Sequence, residues 1–122
     1  MKKNIIKKIH PVKLPSVLFN RVNFKKLNGL IPVITQDFKT GKILMLAFMN
    51  KNAFKKTLKK GKVTYWSRSR KKLWTKGETS GHFQLVKEIY LDCDNDSLLI
   101  KVKQIGNVCH TGNKTCFFRK IA

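Results

Sequence analysis

The sequence predicts a β-dominated α+β domain, a twisted antiparallel sheet or pseudo-barrel with one principal helix. Short apolar, β-branched runs recur between turn residues, and only one stretch repeats its apolar residues at helical spacing. The length of 122 residues and a hydrophobic fraction of 42% suit a single packed core, which we expect over residues 27–122. Residues 1–26 are basic, acid-free and interrupted by two prolines, so they predict a loosely ordered lead-in.

The domain is expected to begin with a β-hairpin followed by the helix. Residues 30–36 and 43–49 are apolar runs around a glycine-containing turn, which is typical of two paired strands. Asn50 is a suitable N-cap, and Gly61 stands where a helix commonly ends with a left-handed residue. Apolar side chains recur at helical spacing between these two positions, so the principal helix is predicted near residues 50–60.

The remaining segments alternate short strands with polar loops. Apolar or β-branched composition predicts strands at residues 63–67, 73–74, 86–91, 97–102 and 115–119. Glycines and polar residues predict loops at residues 75–82 and 106–113. Loops held on a rigid scaffold carry function more often than the strands do, so the candidate residues are sought there first.

The charge of the chain is strongly positive. It contains 27 Lys and Arg against 6 Asp and Glu, a formal net charge of +21 that suits a phosphate-bearing partner. The basic residues form no dominating stripe and no nucleic-acid motif is present, which disfavours specific nucleic-acid binding and favours a small anionic substrate. No apolar run approaches the roughly 20 residues of a membrane span, and no secretory signal begins the chain, so we expect a cytoplasmic protein.

Half of the acidic residues fall within five positions, at Asp92, Asp94 and Asp96, with Cys93 among them. If this segment is extended, alternation places the three carboxylates on one face and the thiol on the other. Such an oxygen cluster suits Mg²⁺, whereas the thiol suits a softer metal. The alternative is a hairpin turn in which Asp and Asn side chains bond their own backbone.

The chain has three cysteines, Cys93, Cys109 and Cys116. An odd number without an export signal argues against a disulfide framework and leaves a buried thiol, a redox thiol or a metal ligand. Without a closely spaced pair the zinc signal is weak, although three thiolates would leave the open fourth position of a catalytic zinc. His110 follows Cys109 directly and is a candidate general base.

Two loops carry groups that suit phosphate oxygens. Arg68 and Arg70 provide paired guanidinium groups, and a Gly-containing stretch adds Lys76, Thr79 and Ser80. Taken singly, each of these loops is more often a solvated loop than a binding site.

Three motifs together resemble the phosphoribosyl-AMP cyclohydrolase family: TYWSRSRKKLWTKGETSGH, DCDND and CHTGNKTC, in the order and spacing of that family. The resemblance covers about residues 29–119 and implies hydrolytic opening of the purine ring of phosphoribosyl-AMP at the N1–C6 bond, by a zinc-activated water, in histidine biosynthesis. It implies zinc on Cys93, Cys109 and Cys116 and magnesium on Asp92, Asp94 and Asp96. For this chemistry His110 would take the proton of the water or polarise the ring, and His82 and Glu78 would protonate or orient the purine base.

The resemblance further implies a homodimer whose zinc site is assembled from both subunits. The competing interpretation is a basic, zinc-stabilised module that binds RNA or DNA. The two phosphate-suited loops argue against it, because a binding module has no need of them beside a three-cysteine site. The sequence leaves open which subunit supplies each cysteine.

Overall fold

A computed structural model, which describes residues 11–122, contains one α-helix and six strands in two sheets. The first sheet has the order β2-β1-β6-β5, from strands β1 (Ile31–Asp37), β2 (Ile43–Met49), β5 (Gln84–Leu91) and β6 (Leu98–Gln104). The second pairs β3 (Thr64–Ser67) with β4 (Lys72–Thr75), and helix α1 spans Lys51–Lys60. The predicted α+β class with one principal helix is confirmed.

The first hairpin and the helix form as the local sequence predicts. The side chain of Asn50 accepts a hydrogen bond from the Ala53 N–H at 2.8 Å, which satisfies one of the free donors at the helix start. Gly61 ends the helix with a φ of 69°, a conformation that a glycine adopts without strain. The helix buries one apolar face against the sheets, made of Ala53, Phe54, Thr57 and Leu58.

The two sheets close into a partial barrel around one core. Strands β1 and β6 are parallel, whereas the other sheet pairs are antiparallel. The Val63 N–H donates to the Gln84 carbonyl at 3.0 Å, and the Val86 N–H donates to the Gly61 carbonyl at 2.9 Å. The chain entering β3 therefore runs beside β5, and β3 also packs against β2. The parallel pair joins strands about sixty residues apart, which local sequence patterns do not specify.

Part of the predicted lead-in packs on this core. A 3₁₀-helix spans Ser16–Arg21, and the ring of Phe19 stacks on Phe24 with centroids 5.6 Å apart. Phe24 is only 5% exposed and also lies against Phe54 of α1. The rest of the predicted lead-in, residues 1–10, lies outside the described part of the chain.

The prediction of a final strand at residues 115–119 is wrong. That segment has no ladder partner, although the Cys116 N–H donates to the Leu44 carbonyl at 2.8 Å and the Thr115 hydroxyl donates to the Ile43 carbonyl at 2.8 Å. These isolated bonds attach the segment to the edge of β2 without extending the sheet. Among residues 11–122, no helix has the length and apolarity needed to cross a membrane.

Candidate functional site

A cleft of about 830 Å³ opens between the loop after β4 and the loop after β6. It brings together residues that lie far apart in the sequence, namely Arg70, Lys76, Glu78, Thr79, Ser80, His82, Cys109, His110 and Cys116. Sequence reasoning missed Met45 and Asn107 in its lining, since an apolar strand residue and a lone loop amide carry no functional signal of their own. Trp74 also lines the cleft.

Cys109 and Cys116 form a thiol pair in this cleft, close enough for each to affect the pKa of the other. The Thr111 hydroxyl donates to the Cys109 sulfur at 3.1 Å, and this bond lowers the pKa of Cys109 below its usual value. Burial raises the pKa of Cys116, and the charge of Cys109 raises it further. Cys109 is therefore the thiol of the pair that ionises first, as a soft metal ligand must.

Lys76 is the cation nearest to the thiol pair. Its half-buried ammonium group donates to the Val108 carbonyl and lies 5.2 Å from the centre of the Trp74 ring. Burial lowers the pKa of Lys76, whereas the Cys116 and Cys109 thiolates raise it. The ammonium group thus provides positive charge to any anion that enters the cleft.

Cys93 lies away from this pair. It is in the exposed turn that precedes β6, whereas Cys109 follows the end of β6, and a strand of seven residues is about 23 Å long. The backbone N–H of Cys116 is hydrogen-bonded to β2, which lies at the edge of the sheet opposite to β5. Within residues 11–122 no three His, Cys, Asp or Glu side chains converge on one point as a metal site. A zinc ion on all three cysteines would need Cys93 from a second copy of the chain.

The segment of the three aspartates is a turn, so the prediction of extended, alternating residues is wrong and the turn alternative is right. Asp92 Oδ1 accepts from the backbone N–H groups of Asp96 at 3.0 Å and Ser97 at 3.2 Å, and Asn95 takes a φ of 64°. Backbone bonds of this kind hold the pKa of Asp92 below its usual value. The Asp92 carboxylate closes the turn because two backbone N–H groups of the turn lie within its reach, and these local bonds outweigh strand alternation.

The other two carboxylates face Lys26. Its ammonium group lies 2.8 Å from Asp96 and 3.7 Å from Asp94, and the Cys93 thiol donates to Asp94 Oδ1 at 2.9 Å. This bond to Asp94, with the charge of the carboxylate, raises the pKa of Cys93. Oxygen ligands for Mg²⁺ are present here, although Lys26 already neutralises part of their charge.

Arg68 lies outside the cleft, in a neighbouring groove of about 550 Å³ that also contains Ser67 and Ser69. Its guanidinium group stacks on the Phe48 ring at 4.0 Å from the centroid. Trp74 lines both the groove and the cleft, so the two cavities share a wall. Arg68 and Arg70, which are separated in sequence only by Ser69, therefore line different cavities.

His82 and Glu78 are held by their own loop. The Glu78 carboxylate accepts from the Thr75 N–H at 2.7 Å, so one of its oxygens stabilises the turn. His82 lies against two glycines of positive φ: a Cβ on Gly77 would come within 2.3 Å of its carbonyl carbon, and one on Gly106 within 2.5 Å of its ring. A side chain at either position would add backbone strain and a steric clash, both of which glycine avoids.

The chain is similar to known proteins over most of its length. The phosphoribosyl-AMP cyclohydrolase family model matches residues 45–118. The chain is similar to phosphoribosyl-AMP cyclohydrolase of Clostridium beijerinckii, with 57% identity over 83% of this chain and 93% of the relative. It is similar to that of Streptococcus mutans, with 58% identity over 82% and 92%. It also resembles the histidine biosynthesis bifunctional protein of Thermoanaerobacter pseudethanolicus, with 63% identity over 77% of this chain and 44% of that protein.

Proposed function

The chain belongs to the phosphoribosyl-AMP cyclohydrolase family, and from this premise we propose that its cleft adds water to C6 of the purine of phosphoribosyl-AMP and breaks the N1–C6 bond. The observation that carries the proposal is the convergence in one cleft of a thiol pair, His110 and phosphate-suited groups. Attack on a purine ring requires an activated water and a proton acceptor, and the substrate phosphates require cations.

The thiol pair supports zinc as the metal of this site. Cys109 has a depressed pKa and Cys116 lies beside it, so two soft ligands face an open cleft, and Cys93 of a second copy would complete the set. Zinc supplies a Lewis acid that makes water nucleophilic near neutral pH. His110 is exposed beside the pair, and its imidazole takes the proton of the attacking water.

The substrate carries a ribose 5-phosphate at each end, and the two cavities suit two anionic arms. Arg70 and Lys76, with the hydroxyls of Thr79 and Ser80, bind one phosphate in the cleft. Arg68 binds the other in the groove. Trp74 lies between them and offers a ring on which the purine stacks. His82 and the free oxygen of Glu78 orient or protonate the base as the ring opens.

The acidic turn is the proposed magnesium site. Asp94 and Asp96 offer carboxylates that pair with Lys26, Asp94 also accepts from the Cys93 thiol, and Asp92 retains one oxygen outside the turn bonds. Magnesium bound there would supply charge that holds a substrate phosphate. Because Cys93 belongs to the same turn, the magnesium ligands and the third zinc ligand would reach the cleft together from the second copy.

The outer face of the first sheet supports a homodimer. Ile34 pairs with Leu46 on one side and Leu99 on the other, and Leu99 pairs with Tyr90, so these four side chains form one row across the sheet. Ile34, Leu46 and Tyr90 are 39%, 48% and 49% exposed, a high value for an apolar row in so charged a chain. The row ends at Tyr90 of β5, close in sequence to Cys93, and at Leu46 of β2, close to the Leu44 carbonyl that the Cys116 N–H contacts. A twofold axis through the row exchanges its ends, as a shared site requires.

The activity is tested by adding phosphoribosyl-AMP to the purified protein loaded with zinc and magnesium, and following the ultraviolet change of ring opening. We expect turnover that a chelator removes and zinc restores. Absence of turnover by the metal-loaded protein would refute the proposed reaction. Turnover that a chelator does not affect would refute the requirement for a metal.

The shared site is tested by mixing two inactive variants, Cys93→Ser and Cys116→Ser. Each heterodimer contains one site with all three thiols, so a statistical mixture should regain about one quarter of the wild-type activity. Mixing Cys109→Ser with Cys116→Ser is the matched control and should restore nothing, because both changes damage the same half of the site. Equal recovery in the two mixtures would contradict the assignment of Cys93 to the second copy.

A further inference from the structure

We infer that Gln84 and Gln104 are positioning residues, which hold His82 in the cleft through a directed chain of hydrogen bonds that crosses the barrel core. This inference rests on the proposed role of His82. Gln84 and Gln104 form no part of the three recognised motifs, and neither lies in a loop that carries phosphate-binding groups.

The chain begins in the core. The Thr35 and Tyr65 hydroxyls lie 2.5 Å apart, and the Tyr65 hydroxyl donates to Gln84 Oε1 at 2.6 Å. A phenol has a single hydrogen, so Thr35 is the donor to Tyr65. All three residues are 0% exposed. Burial raises the pKa of Tyr65 far above its usual value, so the phenol remains a donor throughout the working pH range.

The chain then leaves the core towards the cleft. Gln84 Nε2 donates to Gln104 Oε1 at 2.9 Å and contacts the Met45 sulfur at 3.4 Å. Gln104 Nε2 donates to the carbonyls of His82 at 3.3 Å and Ile105 at 3.0 Å. Every donor therefore points in the same direction, from Thr35 to the backbone of His82. Met45 and His82 both line the cleft, so the chain supports it at two points.

The end of the chain fixes His82 from two sides. Gln104 binds its carbonyl, and Gly106, two residues further along, lies directly against its imidazole ring. The bond to the Ile105 carbonyl also ties the Gln104 side chain to the backbone beside Gly106. Displacement of Gln104 would therefore move the backbone and the ring support of His82 together. A misplacement of 1 Å can cost about 100-fold in rate when it changes the geometry of a reacting group.

A purely structural role is the other explanation for such a chain. Within residues 11–122 every buried side-chain nitrogen and oxygen has a hydrogen-bond partner, so the network is fully satisfied. Satisfied polar networks can specify a unique core without any catalytic effect. An apolar core would avoid the desolvation of Gln84 and Tyr65 altogether. The two explanations differ in one respect: only a positioning role requires the effect of Gln104 to pass through His82.

The test is a double-mutant cycle of Gln104→Leu and His82→Ala in the metal-loaded protein. We expect Gln104→Leu to lower kcat about 10-fold or more with KM within about 2-fold, because positioning acts on the reacting geometry. In the His82→Ala background the same change should have almost no further effect on kcat. Additive losses would overturn the inference, as would an unaltered kcat in either single variant.

The matched control is Gln36→Leu. Gln36 is also a β-strand glutamine whose Nε2 donates to a loop carbonyl, that of Gly41 at 2.8 Å, but it lies outside the cleft. Its kcat should stay within about 2-fold of the wild type, because the lost bond does not reach the site. If Gln104→Leu folds poorly, Tyr65→Phe interrupts the same chain with a smaller change in shape.

A readout without turnover separates this inference from the proposed function. The imidazole nitrogen and carbon resonances of His82 should shift in Gln104→Leu and Tyr65→Phe, and remain unchanged in Gln36→Leu. If the wild type lacks activity but these shifts occur, the proposed reaction fails and the positioning stands. If the wild type is active and the His82 resonances do not move, the positioning is refuted.

Discussion

Strand β6 carries a cysteine-bearing loop at each end, and the two loops differ in how their polar groups are used. In the turn before β6, Asp92 closes the backbone, and Asp94 and Asp96 pair with Lys26. In the loop after β6, Cys109 and Cys116 remain open to a cleft with cationic and imidazole groups around them. The polar groups of the turn are mostly used within the turn, whereas those of the loop stay open to the cleft. The proposed metal site would join the two, with the turn from one copy and the loop from another.

The largest effect is expected when one thiol is removed from either loop. Cys109→Ser and Cys93→Ser should both reduce bound zinc and lower activity by at least about 100-fold, more than the 10–100-fold typical of groups that only support metal ligands. Zinc content per subunit and kcat are the measurements. If Cys93→Ser keeps full zinc, the turn is not a half of the site and the comparison fails.

A second test applies strain to the cleft side alone. Gly106→Ala places a Cβ 2.5 Å from the His82 ring at a φ of 68°, so we expect kcat to fall about 10-fold through misplacement of a reacting group. Gly41→Ala has a similar φ of 78° without a close contact, which isolates the cost of backbone strain, about 1 kcal/mol. Thermal unfolding should show the larger stability loss in Gly106→Ala, which adds a clash to the backbone strain, and kcat should fall in that variant and not in Gly41→Ala. Equal activity losses would contradict the clamp on His82.

A third test concerns the turn. Lys26→Gln removes the cation that competes for Asp94 and Asp96, so magnesium affinity should rise about 3-fold at low ionic strength, the scale of an exposed ion pair. Calorimetric titration with MgCl₂ measures it. Lys25→Gln makes the same charge change one residue away and should alter the affinity less. Similar effects of the two variants would mean that only net charge matters.

The smallest effect is expected from the pH dependence of the turn. The folded pKa of Asp92 lies below its usual value of 3.8, because backbone N–H groups bind the ionised carboxylate. Its contribution to stability is therefore present above pH 3.8 and is lost as the pH falls through the folded pKa. In Asp92→Asn the amide oxygen still accepts those bonds without titrating, so the melting temperature should depend less on pH below about pH 4. If the melting temperature of Asp92→Asn falls with decreasing pH as steeply as that of the wild type, Asp92 does not anchor the turn.

Local rules predicted much of the fold. The first hairpin, the cap at Asn50 and the left-handed Gly61 follow from side chains that act on their nearest neighbours along the chain. The prediction of a final strand at residues 115–119 failed because β propensity does not guarantee a ladder partner. Thr115 and Cys116 make only isolated hydrogen bonds to β2. The prediction that residues 92–96 are extended failed for a related reason, because it assumed strand alternation where Asp92 closes a turn.

The sequence predicted which residues belong to the candidate site, but not how they are arranged in space. His82, Cys109 and Lys76 were recognised from their motifs, but no motif indicated that they line one cleft while Arg68 lies in a separate groove. Gln84 and Gln104 had no signal at all, because glutamine in a strand reads as an ordinary polar residue. Their role depends on a hydrogen-bond chain between four separate strands.

By itself, the sequence determined the chemistry available to this protein: scarce carboxylates beside a thiol, a second pair of thiols beside a histidine, and cations for two phosphates. Caps, turns and periodicity are local interactions, so the sequence also determined most elements of secondary structure. Only the tertiary structure decided that Cys93 is separated from Cys109 by the length of β6 and that the carboxylates form a turn. The physical reason is that strand pairing and loop closure join residues far apart in the chain, where packing rather than local preference selects the partner.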